Sequence, residues 1–248
     1  VGDLIASGLP GFYAYHMAIV QRFYLDRLRI PRDRFRFAEL DEHERAFYNK
    51  VHFDIQVRQD SLGGFKEVGG VHYRTDHDLT GHAAGSKKDL AVLVGGRKVL
   101  PHVIELSFGV DRNLWALLDA GYEIAKERAV LRLPPALAPI DLGVFPLLSK
   151  GGMPERAETL HRELRTDFDT FYDDAGSIGK RYARMDEIGT PFCATVDHTT
   201  LDDGTVTLRE RDTMAQVRIP AQSLAATLRG LIHGHANFKD LGPAVARS

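Results

Sequence analysis

The residues with the clearest chemical potential lie between positions 65 and 112. In PHVIELSFGVDRNLWALL, residues 101 to 118, an apolar stretch carries Glu105 and Ser107 two positions apart, and Arg112 follows just beyond Gly109. In a strand, residues i and i+2 face the same side, so a carboxylate and a hydroxyl would share one cleft. That pair suits a ligand ammonium, and an arginine in the first turn of the next helix suits a phosphate. The plain alternative is an ion pair at a helix start. Upstream, FKEVGGVHYRTDHDLTGH, residues 65 to 82, places Glu67 on another candidate strand. It is a second acid for an ammonium, or a partner in a cross-strand ion pair. A small ligand needs such a crowded polar pocket to exclude larger ones. His72, Asp76, His77, Asp78 and His82 crowd the same run. His72, Asp76, Asp78 and His82 would face one way if extended but scatter around a helix, and no strand-turn pattern gathers three of them, so no metal site is expected and hydrogen-bonded structural roles are.

These residues need elements to hold them. Apolar residues at helical spacing with arginines between predict an amphipathic helix over 12–29, stopped before Pro31. Strands are expected over 52–58 and 65–73, joined through Ser61, Leu62, Gly63 and Gly64 as an antiparallel hairpin. A second pair, over 89–94 and 99–106, flanks the turn formers of 95–98, and a helix follows from about Asp111 to Lys126. Leu133, Pro134, Pro135 and Pro139 make a stiff connection, placing a domain boundary near residue 137. Beyond it the pattern predicts strands over 141–148, 170–172, 192–196, 205–211 and 214–219. Helices are expected over 154–168 and 178–188, with a last one from about 220 to 233. The tail over 234–248 shows no periodicity and is expected to be irregular. The fold class is α+β with α/β: an antiparallel sheet portion with flanking helices over 1–137, then a compact α/β domain over 138–233.

Composition limits the choices of function. Hydrophobic residues make up 44% and charged residues 27% of 248, the balance of a globular protein with a real core. With 32 basic and 34 acidic side chains the net charge is −2, so any nucleic-acid contact must be local. The single cysteine, Cys193, forms no internal disulfide, and no structural zinc is expected. No apolar run reaches membrane-spanning length and no secretory signal pattern opens the chain, so a cytoplasmic protein without a membrane partner is expected.

Residues 101 to 118 resemble the third signature motif of class II aminoacyl-tRNA synthetases, whose glycine-specific version reads very nearly VIEPSFGxDR; Leu106 stands where that pattern has proline. Residues 65 to 82 resemble the glycyl-enzyme pattern WxExxGxxxRTDYDLxxH, matched by Glu67, Gly70, Arg74, Thr75, Asp76, Asp78, Leu79 and His82. GSIGKRYARMDEIGTPFCATVD, residues 176 to 197, and DGTVTLRERDTMAQVRI, residues 203 to 219, are similar to the anticodon-binding domain shared by the glycyl, histidyl, prolyl and threonyl enzymes. The resemblance implies the C-terminal half of a glycyl-tRNA synthetase, a ligase with ATP, glycine and tRNA-Gly as substrates, Mg²⁺ accompanying the phosphates, and a homodimer. It assigns Arg112 to the γ-phosphate of ATP, Glu105 and Ser107 to the amino group and carboxylate neighbourhood of glycine, with Glu105 also at ATP, and Glu67 is a second candidate for the glycine ammonium. For the anticodon it points to Lys180, Arg181, Arg184, Arg209, Arg211 and Asp212, which a solvated charged face would also explain. The first two signatures of the family are not found, so a partial chain, inactive alone, is expected. The rival is a noncatalytic nucleic-acid-binding protein of synthetase type, such as a polymerase accessory subunit, which should have lost the glycine-pocket residues.

Overall fold

Tyr13, Met17, Val20 and Tyr24 recur at helical spacing, and all four are buried, so one stripe of the first long helix seats against a sheet. The structure, a computed structural model, describes residues 2–6, 8–125 and 128–245. Two units, Val1–Ala120 and Gly121–Ser248, are described separately.

The first unit runs α1 (Gly2–Ala6), α2 (Gly11–Arg22), a π-helical turn (Phe23–Arg27), β1 (Phe35–Glu39), β2 (Val51–Gln59), β3 (Gly64–Thr75) and α3 (His77–Ser86). It continues with β4 (Val92–Val94), β5 (Arg97–Val99), β6 (Val103–Phe108) and α4 (Val110–Gly121). Strands β1-β2-β3-β6 form an antiparallel sheet in that order. One sheet face, with Ile55, Val57 and Val71, is buried beneath α2 and Ala116 of α4. The expected β2–β3 hairpin is present. The expected strand over 99–106 divides instead: Pro101 cannot continue a ladder, so β5 closes a small hairpin with β4 and β6 joins the main sheet. Helix α4 ends at Gly121, earlier than expected, and the far end of that expectation, Lys126, lies outside the described residues.

The second unit opens with an antiparallel ribbon, β7 (Tyr122–Ala125) and β8 (Arg128–Leu131), ahead of the proline segment taken as the boundary. Then follow β9 (Leu142–Pro146), α5 (Met153–Leu164), β10 (Thr170–Tyr172), α6 (Ile178–Ile188) and β11 (Phe192–Val196). The unit ends with α7 (His198–Asp203), β12 (Thr205–Glu210), β13 (Gln216–Pro220) and α8 (Leu224–Ile232). The sheet order is β10-β9-β11-β12-β13, parallel through the first three strands and antiparallel through the last two pairs. Strands β9 and β11 are buried at every position, as expected of central strands covered on both faces. The described part of the tail has no helix or strand beyond a short 3-10 turn at Phe238–Asp240. Phe238 enters the core and stacks on Phe192, and Ala244 bridges to Val217. No helix among the described residues is long and apolar enough to cross a membrane.

Candidate functional site

The sheet face opposite α2 is polar. Directly opposed residues of antiparallel strands share a face. His52 opposes His72, Asp54 opposes Gly70, and Gln56 opposes Glu67 across β2 and β3; His72 opposes Glu105 and Gly70 opposes Ser107 across β3 and β6. Simple alternation would turn Glu67 and Gly70 to opposite sides. A bulge restores them to one side: the register shifts between Ile55 and Gln56, and Val68, fully buried, is the extra residue. Glu67, Glu105 and Ser107 therefore all project from one face.

The side chains on this face form two groups. In one, Arg74 grips Asp78 through two bonds of 2.8 and 2.6 Å and donates to Glu105 Oε2 at 2.5 Å, its guanidinium lying 4.2 Å from the Tyr48 ring centroid. Its hydrogen bonds hold the Asp78 carboxyl below the ordinary carboxylate range. Glu105 keeps Oε1 free of Arg74, and His72 Nε2 lies 4.0 Å from that oxygen and 3.3 Å from Ser107 Oγ. In the other group, Arg112 on the first turn of α4 donates to Glu67 Oε2 at 3.0 Å. Both line a cleft of about 480 Å³ with Gln59, Leu62, Lys66 and Trp115. Arg112 is 60% exposed, so it is available to a ligand. The start of α4 is fixed by Asn113, whose amide donates at 2.8 Å to both Val68 and Gly109 carbonyls and whose Oδ1 accepts from Tyr24 at 2.6 Å.

Two glycines permit this packing. A Cβ on Gly69 would sit 2.4 Å from the Ser107 carbonyl oxygen, and one on Gly70 would sit 2.6 Å from His72 Nε2. From the sequence Arg74 and Asn113 received no role at this site, and His72 only a structural one. Arg74 stood inside the motif that drew attention to Glu67, but nothing in the chain announced Asn113. Among the described residues, no three His, Cys, Asp or Glu side chains gather to hold a metal ion.

The six residues proposed for RNA contact separate by burial. Lys180 is exposed, and Arg184 is partly exposed, bound to Asp173 and to the Ala175 carbonyl. Arg181, Arg209 and Arg211 are at most 4% exposed. They were expected at the surface because charge favours solvent; here each finds buried partners. Arg181 donates to the carbonyls of Pro146, Asp173 and Gly176. Arg209 holds Asp186 through bonds of 2.9 and 3.0 Å. Arg211 donates to the carbonyls of Gly189 and Leu133 and to the Asp212 carboxylate. Arg181 and Arg211 are thus tied into the interior of the second unit rather than presented at its surface. Arg209 still borders a cavity of about 420 Å³ lined also by Arg128, Tyr182, Asp197, Gln216 and Arg218. Cys193 is buried on β11, and burial pushes its thiol up to about 12.

The first unit is a polar-floored antiparallel sheet with flanking helices, and residues 141–231 of the second match the family model of anticodon binding domains, an arrangement consistent with the C-terminal region of a class II aminoacyl-tRNA synthetase. The chain is similar to curated glycine--tRNA ligases. It is 40% identical to the one from Borrelia hermsii over 94% of this chain and 54% of the relative. It is 43% identical to that of Borreliella burgdorferi over 92% and 52%, and 35% identical to that of Aeropyrum pernix over 93% and 52%. The chain spans about half the length of the curated relatives it matches.

Proposed function

We propose that this chain contributes to a glycine--tRNA ligase, in which ATP activates glycine and the glycyl group passes to tRNA-Gly. The observation that carries the reading is the convergence of Glu67, Glu105 and Ser107 on one sheet face beside an exposed arginine at a helix start. The carboxylates would take the ammonium and the serine hydroxyl the carboxylate of a small zwitterion. Arg112 and the N–H groups opening α4 suit a nucleotide phosphate, because a helix N-terminus and a guanidinium both favour negative charge. Mg²⁺ accompanying the nucleotide would neutralise phosphate charge. The chemistry asked of the protein is positioning and charge stabilisation. A noncatalytic relative of the polymerase-accessory type fits less well, since all four pocket residues remain.

In the second unit the cavity bordered by Tyr182, Arg209 and Arg218 is of a size and polarity to take an unstacked base, with Lys180 and Arg184 nearby on α6 for phosphate. A homodimer and a cytoplasmic setting belong to the same proposal. The test is glycine-dependent exchange of pyrophosphate into ATP by the native protein. Arg112→Ala and Glu105→Gln should each lower it by about 10² or more. Exchange that proceeds equally with alanine, or that survives both substitutions, would sink the reading.

A further inference from the structure

His72 occupies a position that the glycine reading does not use. Its ring lies among five neighbours. Asn49, only 5% exposed, places Nδ2 at 3.2 Å from His72 Nδ1. On the other side His72 Nε2 meets Ser107 Oγ at 3.3 Å and Glu105 Oε1 at 4.0 Å. The His52 ring lies over it at 4.0 Å between centroids, itself 3.3 Å from Asp54. Gly70 sits beneath, where any Cβ would displace the imidazole.

We propose that His72 is a positioning residue of the glycine pocket, directing the Ser107 hydroxyl proton toward the ligand carboxylate. An Nδ1 that accepts from the Asn49 amide carries no proton, so the ring's proton resides on Nε2. That N–H then donates to Ser107 Oγ. A hydroxyl that accepts on one side keeps its own hydrogen for a ligand held on the same polar sheet face. The carboxylate of Glu105 favours the same tautomer, since Nε2–H faces Oε1. A protonated ring would set an Nδ1–H against the amide N–H of Asn49, two donors facing each other. Burial, followed by the charge of His52, holds His72 below the ordinary histidine range and keeps it neutral, while Glu105 and Asp54 oppose that shift and Arg74 adds to it.

The inference rests on the glycine reading, and the experiment separates the two. Imidazole ¹⁵N shifts of the native protein should report a neutral His72 with its proton on Nε2 at pH 7; a ring protonated there, or carrying its proton on Nδ1, overturns the inference. In exchange kinetics, His72→Phe should raise KM for glycine roughly 5- to 10-fold while KM for ATP stays unchanged. His72→Gln, whose amide can donate to Ser107, should recover most of that loss. Gly70→Ala leaves the imidazole intact but displaces it, and should resemble His72→Phe. Wild-type protein without glycine-dependent exchange sinks the reading itself. Wild-type exchange with an unchanged glycine KM in a folded His72→Phe sinks only the role of His72.

Discussion

At the scale of single residues, the same side-chain type serves opposite ends according to burial. Lys180 and Arg181 are neighbours on α6, yet Lys180 faces solvent and Arg181 ties three backbone carbonyls together. Lys180→Ala should leave the melting temperature unchanged and reduce the slope of log affinity for tRNA against log salt by about 1. Arg181→Ala should cost roughly 2–4 kcal/mol of stability, since each carbonyl loses its buried donor. A stable Arg181→Ala protein with weakened RNA binding would show that the burial assignment is mistaken. Asp186 makes a harsher case: it is fully buried and accepts from both Arg209 and Arg128. Removing one partner of a buried pair leaves the other charge uncompensated. Asp186→Asn should lower unfolding free energy by about 3 kcal/mol, read from denaturant midpoints.

At the scale of elements, turns and bulges decide where the chemistry points. Asp119 of α4 caps the β2–β3 turn, accepting from the Asp60 and Ser61 N–H groups at 3.0 and 2.9 Å and from Arg34. Burial works to raise its carboxyl, but the hydrogen bonds from Ser61 and Asp60 and the Arg34 charge bring it below the ordinary value. A carboxyl depressed in the folded state contributes stability above its unfolded pKa, and that contribution is lost as pH falls through the folded value. Asp119→Asn should therefore destabilise at neutral pH, and the gap to wild type should close as pH drops below the usual carboxylate range. A gap independent of pH would refute the electrostatic account. Gly69 tests the bulge: Gly69→Ala forces a Cβ into the Ser107 carbonyl, and amide exchange across β3 and β6 should speed up while β1 and β2 stay protected. The β2–β3 hairpin was legible because alternation and a glycine-rich turn act locally. The short strand β1 and the helix α3 were not, since neither has a strong pattern of its own: β1 is held by pairing with β2, and α3 buries no residue.

At the scale of the molecule, composition suggested two bodies, and prolines suggested where to divide them. The contacts divide the chain at Ala120 and Gly121 instead, because the β7–β8 ribbon packs on α6 through Arg128 and Asp186 and carries Arg132 to Asp212. A fragment over 121–248 should fold alone. One beginning at residue 138 should melt markedly lower, having lost Arg128, Arg132 and the Leu133 carbonyl that receives Arg211. Equal melting temperatures for the two fragments would argue against the ribbon as part of this unit.

Sequence alone determined which acids, serine and arginine could meet a small zwitterion and a phosphate, since spacing along a strand fixes side and residue type fixes chemistry. It also marked the strands that became β9 and β11, because their apolar runs are local. Only the tertiary structure decided that Glu67 shares a face with Glu105, because one inserted residue at Val68 reverses the alternation that local spacing predicts. Only it revealed that Arg181, Arg209 and Arg211 are interior, because a buried guanidinium is stable when distant carbonyls and carboxylates converge on it, and that convergence is set by packing rather than by neighbours in the chain.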